Sequence, residues 1–191
     1  NPAVSYEPVD GVAVAAGFQA QYVDAELTNA VDFGSIGAQP FPQNPNQQQL
    51  IPGAVPGQSE GDAEVEGNDW GFGFNLGVLL EPREGTRIGA AYRSEIDHEI
   101  TGDADFSGGG NIRSQLAATG AFSDTGATAD LTTPDMLSFG VYQDVTDRFA
   151  VMGEFQYTMW SDFDQLVVEF DNNTPDSVTD EDWDDSWFAA I

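Results

Sequence analysis

WGFGFNLGVLL, residues 70–80, places Trp70, Phe72, Phe74, Leu76, Val78 and Leu80 at the even positions, with Gly71, Gly73, Asn75, Gly77 and Leu79 between them. A period of two this strict predicts an extended strand with one apolar face and one mostly small or polar face. Eleven residues at roughly 3.3 Å each, tilted by about 40°, span about 25–28 Å, the height of the hydrocarbon band that a membrane-spanning barrel strand must cross. Half-buried strands of soluble sandwiches alternate as well, so the weight falls on whether the pattern recurs and on how the strands are joined.

The pattern recurs. From Gly11 to Tyr22 the even positions are Val12, Val14, Ala16, Phe18, Ala20 and Tyr22. From Thr86 to Ile100 the even set (Thr86, Ile88, Ala90, Tyr92, Ser94, Ile96, His98, Ile100) opposes Arg87, Gly89, Ala91, Arg93, Glu95, Asp97 and Glu99. Read as one strand, this segment carries its fixed charges on a single face. Leu137, Phe139 and Val141 continue the theme, as do Phe149, Val151, Phe155, Tyr157 and Met159. The spacing predicts about six strands, over 11–27, 69–81, 86–100, 128–143, 148–170 and 183–191.

The connections decide the class. Residues 7–11, 81–85 and 144–148 are short and rich in Pro, Gly and Asp, the residues of tight turns. Between them lie long connections at about 28–68, 101–127 and 171–182. Short and long joints in alternation put all turns at one end of a sheet and all loops at the other, the layout of an antiparallel transmembrane β-barrel. A compact soluble domain rarely holds a structureless loop of about 40 residues. The first connection is rich in Gly, Pro, Gln and Asn yet contains Phe33, Ile36, Phe41, Leu50, Ile51 and Val55; the second contains Phe106, Ile112, Leu116 and Phe122.

Composition narrows the function. Thirty-three acidic against 5 basic residues give a net charge of −28, which repels a phosphate backbone and excludes nucleic acid as a partner. The chain is 12% aromatic, which argues against an acidic disordered polymer. It has no Cys, hence no disulfide framework, thiolate metal site or cysteine nucleophile. No run of about 18 apolar residues could form a membrane helix. Residues 1–10 lack an export signal's basic start and apolar core, and the last residues stop within a strand-like pattern, so the chain reads as an internal piece of a longer protein.

No catalytic residue, metal or cofactor is expected. The acidic run Asp180, Glu181, Asp182, Asp184, Asp185 offers hard oxygen ligands but lacks the spacing and central glycine of a calcium loop. Glu95 and Glu99 could suggest acid/base work, but on a charged strand face they read as lining water. His98 has no His, Cys or Ser partner at an informative spacing and reads as a rim residue. Arg87, Arg93 and Glu95 are the polar residues expected to look into a lumen, where a guanidinium could hold a carboxylate or pair with Glu95, Asp97 or Glu154. Trp70, Tyr92, Tyr157, Trp160, Trp183 and Trp187 are candidates for an interfacial girdle.

Several segments resemble the FadL-like long-chain fatty acid transport proteins of the outer membrane, a family that includes aromatic-hydrocarbon channels. NPAVSY with GVAVAAGFQAQYVDAEL is similar to its opening strand pair. GNDWGFGFNLGVLLEPREGTRIGAAYRSEIDHEITGD, residues 67–103, is the most specific match, and ATADLTTPDMLSFGVYQDVTDRFAVMGEFQYTMWSDFDQL, residues 127–166, resembles a strand–turn–strand ending in a Trp-Ser step. The resemblance implies a barrel of roughly fourteen strands, of which residues 1–191 would be one partial domain, without the N-terminal hatch and the closing strands. It implies that the first two long loops form an outer hydrophobic groove, with Phe33, Ile36, Leu50, Ile51, Phe106, Ile112, Leu116 and Phe122 as candidate ligand contacts. Asp24 and Glu26 stand at the upper end of the first strand, where family members that bind fatty acids can use a cation.

The implied function is passive uptake of long-chain fatty acids or other hydrophobic small molecules through a multi-pass barrel in the bacterial outer membrane, in contact with lipid and lipopolysaccharide, without enzymatic chemistry. Two alternatives remain at this level: a cation-preferring general porin with an acidic mouth, and a soluble β-sandwich binding module.

Overall fold

The period-two segments fold as antiparallel strands, three of them as single passes: β1 (Ala3–Val9), β2 (Val12–Asp32) and β3 (Glu60–Arg83). The computed structural model describes residues 1–39, 50–163 and 165–191; most of the Pro- and Gln-rich tract, with Phe41, lies outside the described residues. β2 and β3 pair without a register shift along all 21 residues of β2, from Val12↔Leu80 to Asp32↔Glu60. The short turns lie at one end, here called lower. Gly11 and Gly85 both sit at φ +78°, where an L side chain would be strained, and close β1 to β2 and β3 to β4.

Four further passes are each interrupted once. β4 (Thr86–Arg93) continues as β5 (Ile96–Gly108), β6 (Thr125–Thr133) as β7 (Met136–Thr146), β8 (Phe149–Thr158) as β9 (Gln165–Phe170), and β10 (Ser177–Asp180) as β11 (Ser186–Ala190). β3 pairs with β4 below and with β5 above; β4 leads on to β7, β8 and β11, and β5 to β6, β9 and β10. The interruptions align, because Arg93, Met136, Thr158 and Ser186 stand in one row of register partners. A seam therefore crosses four passes at one level, and the expected six strands become eleven in seven passes.

Side chains take over the hydrogen bonds that the ladder gives up at the seam. The Phe74 amide donates to Ser94 Oγ (2.9 Å), which donates to the Glu95 carbonyl (3.0 Å). Asp135 Oδ1 accepts from the Glu95 amide (2.8 Å) and from the Tyr92 hydroxyl (2.6 Å). Asp185 Oδ1 accepts from the Ser161 amide (2.9 Å). Pro134, which has no N–H to place in a ladder, stands where β6 gives way to β7.

The seam corrects the reading of residues 86–100 as one strand. In β4 the even residues share a face with Leu76 and Val78 of β3, whereas in β5 the even residues Ile96, His98 and Ile100 are buried inside. One irregularity exchanges the two faces. Arg87 and Arg93 stay on the inner side of the lower sheet, while Asp97 and Glu99 are exposed on the outer side of the upper sheet.

The long connections are shorter than expected, at 33–59, 109–124 and 171–176. Residues 28–32, 60–68 and 101–108 are strand, not loop. Asp62, Glu64, Glu66, Asp103 and Asp105 stand on their outer face, and that polarity made extended strand look like solvent-facing connection.

From Trp70 downward on β3, Trp70, Phe72, Phe74 and Leu76 are 46–60% exposed on the outer face, with no second protein layer over them among the described residues. Cross-strand aromatic pairs line that face: Phe18–Phe72 (5.7 Å), Tyr22–Trp70 (5.3 Å) and Phe74–Tyr92 (5.8 Å). The soluble sandwich predicts these rows buried, and they are not. The packed core lies above, on the inner face, around Phe33, Phe106, Leu116 and Phe122.

Candidate functional site

The loop end is held by its own local chemistry. Asp32 caps α1 (Phe33–Gly37): Oδ1 accepts from the Ser35 amide (3.1 Å), and Oδ2 from the Ser35 hydroxyl and the Gly57 amide (2.9 Å). The first connection is thereby tied to itself across 25 residues. The same bonds, the Ser35 hydroxyl first and the Gly57 amide next, hold the Asp32 carboxyl below its ordinary range. Arg113 on α2 (Gly110–Ala117) donates to the Gly108 and Phe122 carbonyls, and Thr174 Oγ1 accepts from the Phe122 amide (2.7 Å).

These ties bring most of the sequence-selected apolar residues together. Phe33 is fully buried, edge-on to Phe122 at 5.5 Å; Phe106 meets Phe122 at 5.6 Å and Phe170 at 5.7 Å. Room for the Phe33 ring comes from Gly109 (φ +65°), where a Cβ would lie 2.3 Å from it. Ile112 and Leu116 complete the same core, and Ile36 and Ile51 pack against it. Leu50 is 52% exposed and stands apart. Where an open groove was expected between the loops, these residues form a closed core.

Open space lies beside that core. A cavity of about 350 Å³ is walled by Leu27, Val31, Val65, Phe106, Phe122 and Phe170, with Thr28, Asn29, Asp176, Ser177 and Thr179 toward its mouth. A deeper apolar cavity of about 130 Å³ shares Leu27, Val65 and Leu166 with the first and is floored by Ile100, Ala129 and Leu131. Of the sequence-selected residues, only Phe106 and Phe122 line this space. The missed walls come from the upper strand passes, where Val23, Ala25, Leu27 and Val31 and the pair Ala63 and Val65 carry the alternation that would have pointed to them.

Below the deeper cavity His98, opposite Leu131, is 2% exposed, so it is an interior residue and not a rim one. Its Nδ1 lies 3.1 Å from Asp69 Oδ2, its Nε2 is buried without a hydrogen-bond partner, and its ring occupies the space where a Gly71 Cβ would stand, 2.5 Å from Cε1. Sequence spacing could not pair His98 with Asp69, because the two are joined only through β3–β5 packing.

The residues expected in the lumen separate. Arg87 pairs with Glu81, not with Glu95, Asp97 or Glu154, and lies 5.8 Å from the Tyr142 ring centre. It lines an inward concavity of about 1010 Å³ whose other walls include Ala15, Gly77, Gly89 and Gly140. Arg93 stands opposite Asn75 and Met136. Glu95 falls in the seam, its carboxylate grouped with those of Asp135 and Asp162, and so does not share the face of the two arginines.

The outer face of the upper sheet is a lattice of carboxylates. Register sets Glu26 opposite Glu66, Glu66 opposite Asp103, Glu64 opposite Asp105 and Glu99 opposite Asp130. Like charges directly opposite each other destabilise a ladder. Repulsion from Glu64, and then from Glu26, holds the Glu66 carboxyl above its ordinary range.

Comparison with known proteins agrees with this architecture. The sequence profile of the family described as outer membrane protein transport protein (OMPP1/FadL/TodX) matches residues 1–191. The long-chain fatty acid transport protein of Escherichia coli O6:H1 is 31% identical over 188 residues, 92% of this chain and 40% of that protein. The crystal structure of a Pseudomonas aeruginosa FadL homologue superposes with a TM-score of 0.81 at 18% identity, over 97% of this chain and 43% of that one. The Ralstonia pickettii toluene transporter TbuX superposes with a TM-score of 0.71 at 22% identity, over 98% and 48%. The chain thus spans less than half the length of each.

Proposed function

Because the chain belongs to the outer membrane transport protein family of OMPP1, FadL and TodX, we propose that it supplies wall and loop end to a channel admitting hydrophobic small molecules through the bacterial outer membrane. The family is one of outer-membrane transporters, not enzymes, and its membership places the chain in that membrane. The observation that supports the reading best is the change of polarity along β2 and β3. Below, the apolar face points outward to lipid; above, it points inward and lines the cavity beneath the loops.

Such a cavity collects an apolar molecule that water holds poorly, at about 25 cal/mol per Å² of apolar surface buried. Roughly 200 Å² of contact gives about 5 kcal/mol before the cost of association, enough for capture and weak enough for release. Below the cavity the inner side of the lower sheet is small, with Ala15, Gly77, Gly89 and Gly140 lining the larger concavity. A long-chain fatty acid, as in the name of the Escherichia coli relative, and an aromatic hydrocarbon, as in that of the Ralstonia transporter, are both candidate cargoes.

The test is uptake by cells carrying the full-length protein with Leu27→Asp and Val65→Asp. A charge in each cavity wall should lower hydrophobic-substrate uptake by roughly tenfold or more while the folded barrel still reaches the membrane. Unchanged uptake would remove the cavity from the path. The acidic upper face favours one second reading, a cation-preferring porin, which predicts an open cation-selective current in planar bilayers where the transporter predicts silence.

A further inference from the structure

We infer that the cavity beneath the loops sorts hydrophobic molecules by the charge of their head group, taking amines ahead of alcohols and alcohols ahead of carboxylates of equal chain length. The inference rests on the proposal that this cavity is the ligand site, and it adds a chemical preference that the cavity's apolar walls do not set.

The charge around the cavity is predominantly negative. Toward its mouth stand the neutral Thr28, Asn29, Ser177 and Thr179 and a single charged residue, Asp176. Four of the five basic residues, Arg83, Arg87, Arg93 and Arg148, lie on the lower strands and their turns. Above the seam Arg113 is the one arginine, and its guanidinium donates to the Gly108 and Phe122 carbonyls. His98 below the deeper cavity is matched by Asp69. The strands that form the walls carry Glu26, Glu64, Glu66, Asp103, Asp105 and Asp130 on their outer faces.

A carboxylate entering the mouth would shed water beside Asp176, the one charged side chain in the lining, with the acidic outer faces of the wall strands around it. An alcohol would exchange water for the Thr and Ser hydroxyls at little net cost. An ammonium group would be drawn in by the same field and would find the Asp176 carboxylate and those hydroxyls as acceptors. The apolar tail makes the same contacts in all three cases, so the head group alone sets the order.

The experiment measures binding of hexylamine, hexanol and hexanoate to the full-length protein in nanodiscs at neutral pH, in about 0.1 M and about 1 M salt. At the lower salt the amine should bind at least about tenfold more tightly than the carboxylate. The gap should shrink to about two- or threefold at 1 M, where the screening length falls from about 10 Å to about 3 Å. Asp176→Asn should reduce the amine-over-alcohol preference about threefold. A carboxylate that binds as well as the amine, or a gap indifferent to salt, overturns the charge ordering and leaves the cavity as a ligand site. Failure of all three to bind removes the cavity reading and the ordering together.

Discussion

One face of one strand meets two environments. On the outer side of β3 the lower stretch carries Trp70, Phe72, Phe74 and Leu76, and the upper stretch carries Asp62, Glu64 and Glu66, with backbone pairing to β2 unbroken between them. The inner side changes in the opposite sense, from Gly71, Gly73 and Gly77 below to Ala63 and Val65 above. In the lower stretch the apolar surface is turned outward, and in the upper stretch it is turned inward against helices and loops. Period two therefore makes the strand, while the identity of the residues on each face records which solvent that stretch was built for.

The contrast can be broken most forcefully at its upper core. Phe33→Ala removes a fully buried ring and should cost about 3–5 kcal/mol, seen as faster amide exchange throughout β5, β6 and α2 with the lower strands still protected. Exchange rising equally in both halves would show a single cooperative unit.

Next in size is a pair of identical substitutions on one face. Phe72→Arg places a cation in the lipid-facing band and should cost about 2–4 kcal/mol in folding into bilayers. Glu64→Arg, eight residues earlier on the same outer face, replaces a repulsive partner of Asp105 and should be neutral or stabilising by about 0.2–1 kcal/mol. Equal penalties at the two sites would erase the distinction between the halves.

At the boundary, Asp135→Ala leaves the Glu95 amide and the Tyr92 hydroxyl without their shared acceptor. It should cost about 1.5–3 kcal/mol, read as increased exchange at Glu95 with little change at Phe33.

The smallest effect is a pH response whose two parts have opposite signs. Asp32 is held below its ordinary range, so the stability it adds is present above its unfolded pKa and is lost as pH falls through the lowered folded value. Glu66 is held above its ordinary range, so its repulsion weakens the fold at neutral pH and is relieved as pH falls through the raised folded value. Acidification should first tighten the β2–β3–β5 ladder and only at lower pH release the Gly57 amide from Asp32. Side-chain NMR of Glu66 and amide exchange at Gly57 would show the order, and release of Gly57 before protonation of Glu66 would contradict it.

Much of this was legible from residue order. The alternation at 12–22 and 70–80 and the contrast of short and long joints both arise between near neighbours in sequence, so the antiparallel barrel wall and its two ends could be read directly. The acidic strands at 60–68 were taken for loop because polarity was weighed ahead of period. Phe33, Phe106 and Phe122 were selected as apolar residues of the loops, of which Phe106 lies in β5, and nothing local says whether such side chains line a groove or close on one another.

Residue order by itself determined that this chain pairs into an antiparallel wall with an apolar band, since strand period and turn chemistry act over a few residues. Tertiary structure alone decided the exchange of faces at Ser94 and Glu95, the burial of His98 against Asp69 and Gly71, and the cavity between the loop core and the upper strands. Each of these depends on groups far apart in sequence, such as the Phe74 amide with Ser94 and Asp135 with Tyr92, and a shift of one residue in that pairing is invisible to a pattern whose only variable is odd or even.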